Sequence, residues 1–173
     1  MKAVLTLVCI LFFCWFSRSC TRNESFSAIP EIHFKELVFE ERTDSLGTMK
    51  KAILTFSFVD GDGDLGARPA GAGNSNILYT WQKKQPDMTY LPYYFDTLTT
   101  IKSSIPYDDV MDKDNAQNKV LKGTIQIGLS LPMKTQGIDT MRIEFYITDR
   151  AKNSSNIEHT PDFSIQNTPN LVK

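Results

Sequence analysis

The densest chemistry in this chain is the run Asp60-Gly61-Asp62-Gly63-Asp64-Leu65-Gly66. Three carboxylates at alternate positions on a glycine backbone can fold around a hard cation. Ca²⁺ takes about six to eight oxygens, and glycine permits the tight turns that bring main-chain carbonyls in as further ligands. The run is not an EF-hand. Its sixth position is Leu65, where that loop needs Gly, and its twelfth is Gly71, where a Glu should supply two oxygens. A solvated turn is the other use of these residues, since Asp and Gly are common turn formers. Gly61, Gly63 and Gly66 also fit G-x-G-x-x-G, which holds pyrophosphate only where it opens a helix. Here it runs into Ala67-Arg68-Pro69, and its carboxylates would repel phosphate, so a nucleotide site is excluded.

A second polar stretch, Asp149-Arg150-Ala151-Lys152-Asn153-Ser154-Ser155-Asn156, follows an apolar segment ending at Thr148. In a seven-stranded sandwich the loops after the second and sixth strands share one pole. Asp60, Asp62, Asp64, Asp149 and Asn153 would then converge as a Ca²⁺ site. This requires the stretches 90–95 and 98–105 to form one interrupted edge rather than two full strands. Arg150 has a competing use, pairing with the loop carboxylates without any metal. Asp108, Asp109, Asp112 and Asp114 are irregularly spaced and read as a solvated loop.

Catalytic constellations do not emerge. His33 and His159 are isolated, no H-E-x-x-H or G-x-S-x-G occurs, and Cys9, Cys14 and Cys20 all precede the body of the chain. No catalytic residue is assigned, and the chain is not read as an enzyme.

The elements that must carry the two polar loops alternate with period two. Ala52, Leu54, Phe56 and Phe58 share one parity. So do Ile77, Tyr79 and Trp81; Leu121, Ile125, Ile127, Leu129 and Leu131; and Met141, Ile143, Phe145 and Ile147. Half-buried strands have this pattern. In the first segment Ile32 and Phe34 share a parity that Leu37 and Phe39 do not, so a bulge is expected near Lys35-Glu36. Ile157, Phe163 and Ile165 suggest a last strand, with Pro161 marking an edge or bend. No window shows a helical stripe. The expected fold is all-β, an antiparallel immunoglobulin-like sandwich of about seven strands over residues 31–173.

The chain has 173 residues, with 19 basic and 20 acidic side chains and a net charge of −1. That balance excludes nucleic-acid binding driven by a basic field. With 41% hydrophobic residues a real core is within reach. Residues 1–19 combine Lys2, an uncharged apolar stretch and a small residue before Cys20, the layout of a secretory signal. Residues 20–30 are polar and aperiodic and read as a tether. Ser17-Arg18-Ser19-Cys20 resembles the lipobox of bacterial lipoproteins, in which the cysteine becomes the lipid-modified first residue. It departs from that motif at Arg18 and lacks the usual leading Leu. Two or more acyl chains are enough for stable anchoring.

On the lipobox, the strand and loop of residues 56–66, and the segment 146–156, the chain resembles small uncharacterised Bacteroidota lipoproteins with an immunoglobulin-like domain. The resemblance covers under a third of the chain. It implies an exported protein of the cell envelope, anchored in the outer membrane and facing the periplasm or the surface. It also implies O-glycosylation at Asp-(Ser/Thr)-apolar motifs, which here would modify Ser45, Thr97 and Thr140. The function expected is that of a membrane-tethered binding or structural module, with carbohydrate or another envelope protein as partner. The alternative is a small extracytoplasmic enzyme acting on carbohydrate. Tyr79, Trp81, Tyr90, Tyr93, Tyr94 and Phe95 separate these readings from a bland one: exposed on one face they form a binding platform, buried they are core.

Overall fold

The structure is a computed structural model that describes residues 26–44, 47–66, 76–93, 101–103, 120–130, 140–164 and 171–172. None of these residues is helical. The strands are β1 (Glu31–Asp44), β2 (Gly47–Asp60), β3 (Ile77–Lys84), β4 (Tyr90–Pro92), β5 (Ile101–Ser103), β6 (Leu121–Ser130), β7 (Met141–Ile147), β8 (Glu158–His159) and β9 (Leu171–Val172). They form two antiparallel sheets. One runs β6-β2-β1-β9, and the other runs β4-β3-β7-β8 with β5 also on β3.

Period-two patterning decides which face of each strand is buried. Ala52, Leu54 and Phe56 of β2 and Met141, Ile143, Phe145 and Ile147 of β7 are fully enclosed, and they meet across the gap between the sheets. Phe56 and Phe145 touch with ring centroids 5.2 Å apart. Phe39 packs on Phe163 at 5.1 Å, and Trp81 meets the same ring edge-on at 6.1 Å. Each enclosed Leu, Ile, Met or Phe contributes roughly 1.5–3 kcal/mol by leaving water. The parity switch in β1 is a bulge: the register with β2 shifts between Phe34 and Glu36, so Ile32 and Leu37 both face the core.

Two strand edges fix where the loops lie. β4 pairs with Gln82–Lys84 and β5 with Ile77–Tyr79, so both follow the same edge of β3 as one interrupted strand. β2 therefore ends, and β7 ends, at the same pole. Along the other edge of β7, residues 154–163 run as a ragged strand. Ser155 and Thr160 act there as hooks: each donates its N–H to β7 and accepts a β7 N–H on its side-chain oxygen. Ser155 does so with Ile147 and Thr160 with Ile143.

Candidate metal centre

β2 ends at Asp60, and the turn of residues 61–66 follows. Each glycine has its own reason. Gly63 and Gly66 have φ of 70° and 129°, which side-chain-bearing residues rarely adopt. Gly61 lies against the segment before β1, where a Cβ would overlap the main-chain carbonyls of Phe26 and Ser27. Its N–H donates to the Ser27 carbonyl at 2.9 Å. Leu65 is fully buried and plugs the turn into the core, and its N–H donates to Asp60 Oδ2 at 2.8 Å.

This turn gathers three carboxylates. One oxygen from each of Asp60, Asp62 and Asp64 lies within 4.8 Å of the others. Two ligands on opposite sides of a Ca²⁺ ion, each at about 2.4 Å, are about 4.8 Å apart, so this spread fits one ion. Asp60 is 0% exposed. Its Oδ1, with Oδ1 of Asp62 and of Asp64, is buried without a hydrogen-bond partner. A buried carboxylate oxygen with no donor is costly when charged. Burial is the main force raising Asp60, and the Leu65 N–H opposes it; repulsion from Asp62, a shared proton with the Asp62 carboxylate and repulsion from Asp64 add to the rise, and together they push its pKa up to about 7. Asp64 is also raised, by burial first and then by Asp149 and Asp62.

The second polar loop meets the first. Arg150 donates through both its main-chain N–H, at 3.3 Å, and its Nε, at 2.7 Å, to the carbonyl of Asp64. Ala151 N–H donates to Asp64 Oδ2 at 3.0 Å. The guanidinium of Arg150 also lowers the Asp64 pKa, the weakest of the influences on it. Asp149 is buried, and both of its oxygens accept hydrogen bonds from Asn153, one from N and one from Nδ2, each at 2.7 Å. Those bonds close the turn in which Lys152 takes a left-handed φ of 72°. So the structure brings Asp60, Asp62 and Asp64 into one oxygen cluster. Asp149 stands close enough to act on Asp64 by charge, while Asp149 and Asn153 are engaged with each other.

Several participants lie outside the sequence expectations. Phe26 and Ser27 line the turn, although residues 20–30 read as a tether. Asn156 donates Nδ2 to the Ile32 carbonyl and accepts the Ile32 N–H on Oδ1, both at 2.8 Å, so its amide takes the place of a strand neighbour on β1. Nothing in its sequence context marks this role.

The aromatic residues divide. Tyr79 and Trp81 are 5% and 3% exposed and belong to the core, so they form no platform. Tyr90 is half-buried on the outer face of β4, with its OH donating to Asp162 and the Arg142 guanidinium 3.6 Å over its ring. Tyr94 and Phe95 lie outside the described residues, as do Cys20, Ser45, Thr97 and the acidic residues 108–114. Thr140 is half-buried, and its carbonyl accepts the Lys84 N–H. His33 sits beside Glu31 and Glu158, and His159 beside Glu144. Compared with family models, curated proteins and solved structures, the chain has no match.

Proposed function

We propose that this chain is an exported, membrane-tethered binding or structural module, anchored through a lipidated Cys20, in which one pole of an immunoglobulin-like sandwich holds Ca²⁺. The observation that carries the cation is that Asp60, Asp62 and Asp64 each bring one carboxylate oxygen within 4.8 Å of the others, and that the Oδ1 of each is buried without a hydrogen-bond partner. Ca²⁺ suits them better than Mg²⁺, because Ca²⁺ accepts an irregular shell of oxygens whereas Mg²⁺ demands near-ideal octahedral geometry and keeps most of its waters. The immunoglobulin-like reading is supported by strand order. β1, β2 and β6 share one sheet, β3 and β7 pair in the other, and the chain crosses between sheets after β2, after β5, after β6 and after β8. Greek-key connections between two sheets in this manner are a hallmark of such sandwiches, which supports the reading.

Calorimetric titration with CaCl₂ tests the cation. The wild type should bind one Ca²⁺ per chain, and the Asp62→Asn, Asp64→Asn double variant should show no binding. A wild type that gives no heat and no shift in melting temperature with millimolar Ca²⁺ refutes the site. Membrane fractionation of Cys20→Ala tests the anchor: the variant should leave the membrane or stay unprocessed.

A further inference from the structure

We infer that the cation at this pole also fastens residues 26–30 to the sandwich, so that cation occupancy and docking of that segment form one linked equilibrium. The inference rests on the Ca²⁺ reading above and concerns what the bound cation controls. Gly61 lies between two of the three carboxylates, so the backbone turn that aims Asp60 and Asp62 also aims the Gly61 N–H at the Ser27 carbonyl. The fit is close enough that Gly61 has no room for a side chain there. The Lys122 ammonium lies 3.5 Å over the Phe26 ring and clamps the segment from β6. Ser27 Oγ accepts the Ile29 N–H at 2.9 Å, which turns the segment toward buried Pro30 and the start of β1.

Three like charges held this close repel one another. Without a cation that repulsion opens the turn and carries the Gly61 N–H away from Ser27. A bound cation removes it and closes the turn onto the segment. Linkage is reciprocal: the factor by which docking raises cation affinity is the factor by which the cation favours docking. Residues 26–30 join the domain to the part of the chain that bears Cys20, so the domain's attachment to its proposed anchor comes under cation control.

The test uses the full chain in detergent, with CaCl₂ as the probe. Hydrogen exchange of the amides in residues 27–32 is measured in EDTA and in saturating Ca²⁺, beside calorimetric affinities for wild type, Gly61→Ala and Phe26→Ala. Exchange should slow at least tenfold with Ca²⁺, and both variants should lose about fivefold or more in Ca²⁺ affinity. Should Gly61→Ala fail to fold, Phe26→Ala decides, because it leaves the loop backbone untouched. Calcium that binds the wild type while exchange in 27–32 stays unchanged overturns the linkage and leaves the cation site standing. Wild-type affinity in Phe26→Ala overturns it equally. A wild type that binds no Ca²⁺ overturns the cation reading and this inference together.

Discussion

Removing divalent cations should make the stability of this domain fall as pH rises, and Asp60 sets the size of the fall. Its pKa is raised from 3.8 to about 7 in the folded chain, mainly by burial. A carboxyl whose folded pKa lies above its unfolded one binds its proton more tightly in the native state. The stability this lends is complete below the unfolded value and is lost as pH rises through about 7. Each unit is worth about 1.4 kcal/mol, so full ionisation costs roughly 4 kcal/mol, of which about 2–3 kcal/mol falls between pH 5 and pH 8. Asp64, raised as well, acts with the same sign. Calcium opposes the loss. At about 100 times its dissociation constant it adds about 2.7 kcal/mol, and protons compete with it less at pH 8 than at pH 5. The gap between the calcium and EDTA samples should therefore widen with pH, reaching about 5–10 °C in melting temperature at pH 8. Urea unfolding followed by the fluorescence of buried Trp81 measures the stability at pH 5, 6, 7 and 8, and thermal melts of the same samples measure the gap in melting temperature. Asp60→Asn keeps the side-chain volume and an acceptor for the Leu65 N–H but has no charge. Its profile in EDTA should be flatter, and the difference from wild type isolates the contribution of Asp60. An EDTA-treated wild type whose stability matches that of Asp60→Asn across this range would refute the reasoning.

Other consequences of the geometry are open to simpler measurements. Gly63→Ala places a Cβ at a φ of 70° and should cost about 1–2 kcal/mol in urea unfolding, with the loss persisting in EDTA. Thr160→Val removes the acceptor for the buried Ile143 N–H and should cost about 1–3 kcal/mol, whereas a nearly neutral result would mean that this N–H finds another partner. Phe145→Ala opens a cavity where the two sheets meet and should cost about 3–5 kcal/mol; a loss under 1 kcal/mol would mean the sheets do not share that contact.

Much of the fold could be read from the chain because burial of a strand face depends only on alternation. The apolar parities of β2, β3 and β7, and Leu121, Ile125, Ile127 and Leu129 of β6, turn toward the core as their spacing requires, and the conflict of phase around Lys35 appears as the bulge that alternation demands. Gly63 and Gly66 were visible as turn residues, since a left-handed φ is a local property. What lay beyond the sequence was long-range. The crowding of Gly61 by Phe26 and Ser27 and the pairing of Asn156 with Ile32 join residues far apart in the chain, and no periodicity encodes them.

The convergence of the two polar loops turned on one question of parity. Composition could place carboxylates after β2 and a polar turn after β7, but not at one end of the molecule. That was decided when β4 and β5 lined up on a single edge of β3, because an interrupted strand reverses the chain once where two full strands would reverse it twice. Local sequence thus determined which residues turn, which alternate and which carry charge. Only the tertiary structure decided which charges share a pole, how deeply Asp60 is buried there, and hence that its carboxylate faces two others with a hydrogen bond to only one of its oxygens. The physical reason is that burial and electrostatic coupling depend on distances in space, which the order of residues constrains only through the strand pairing it permits.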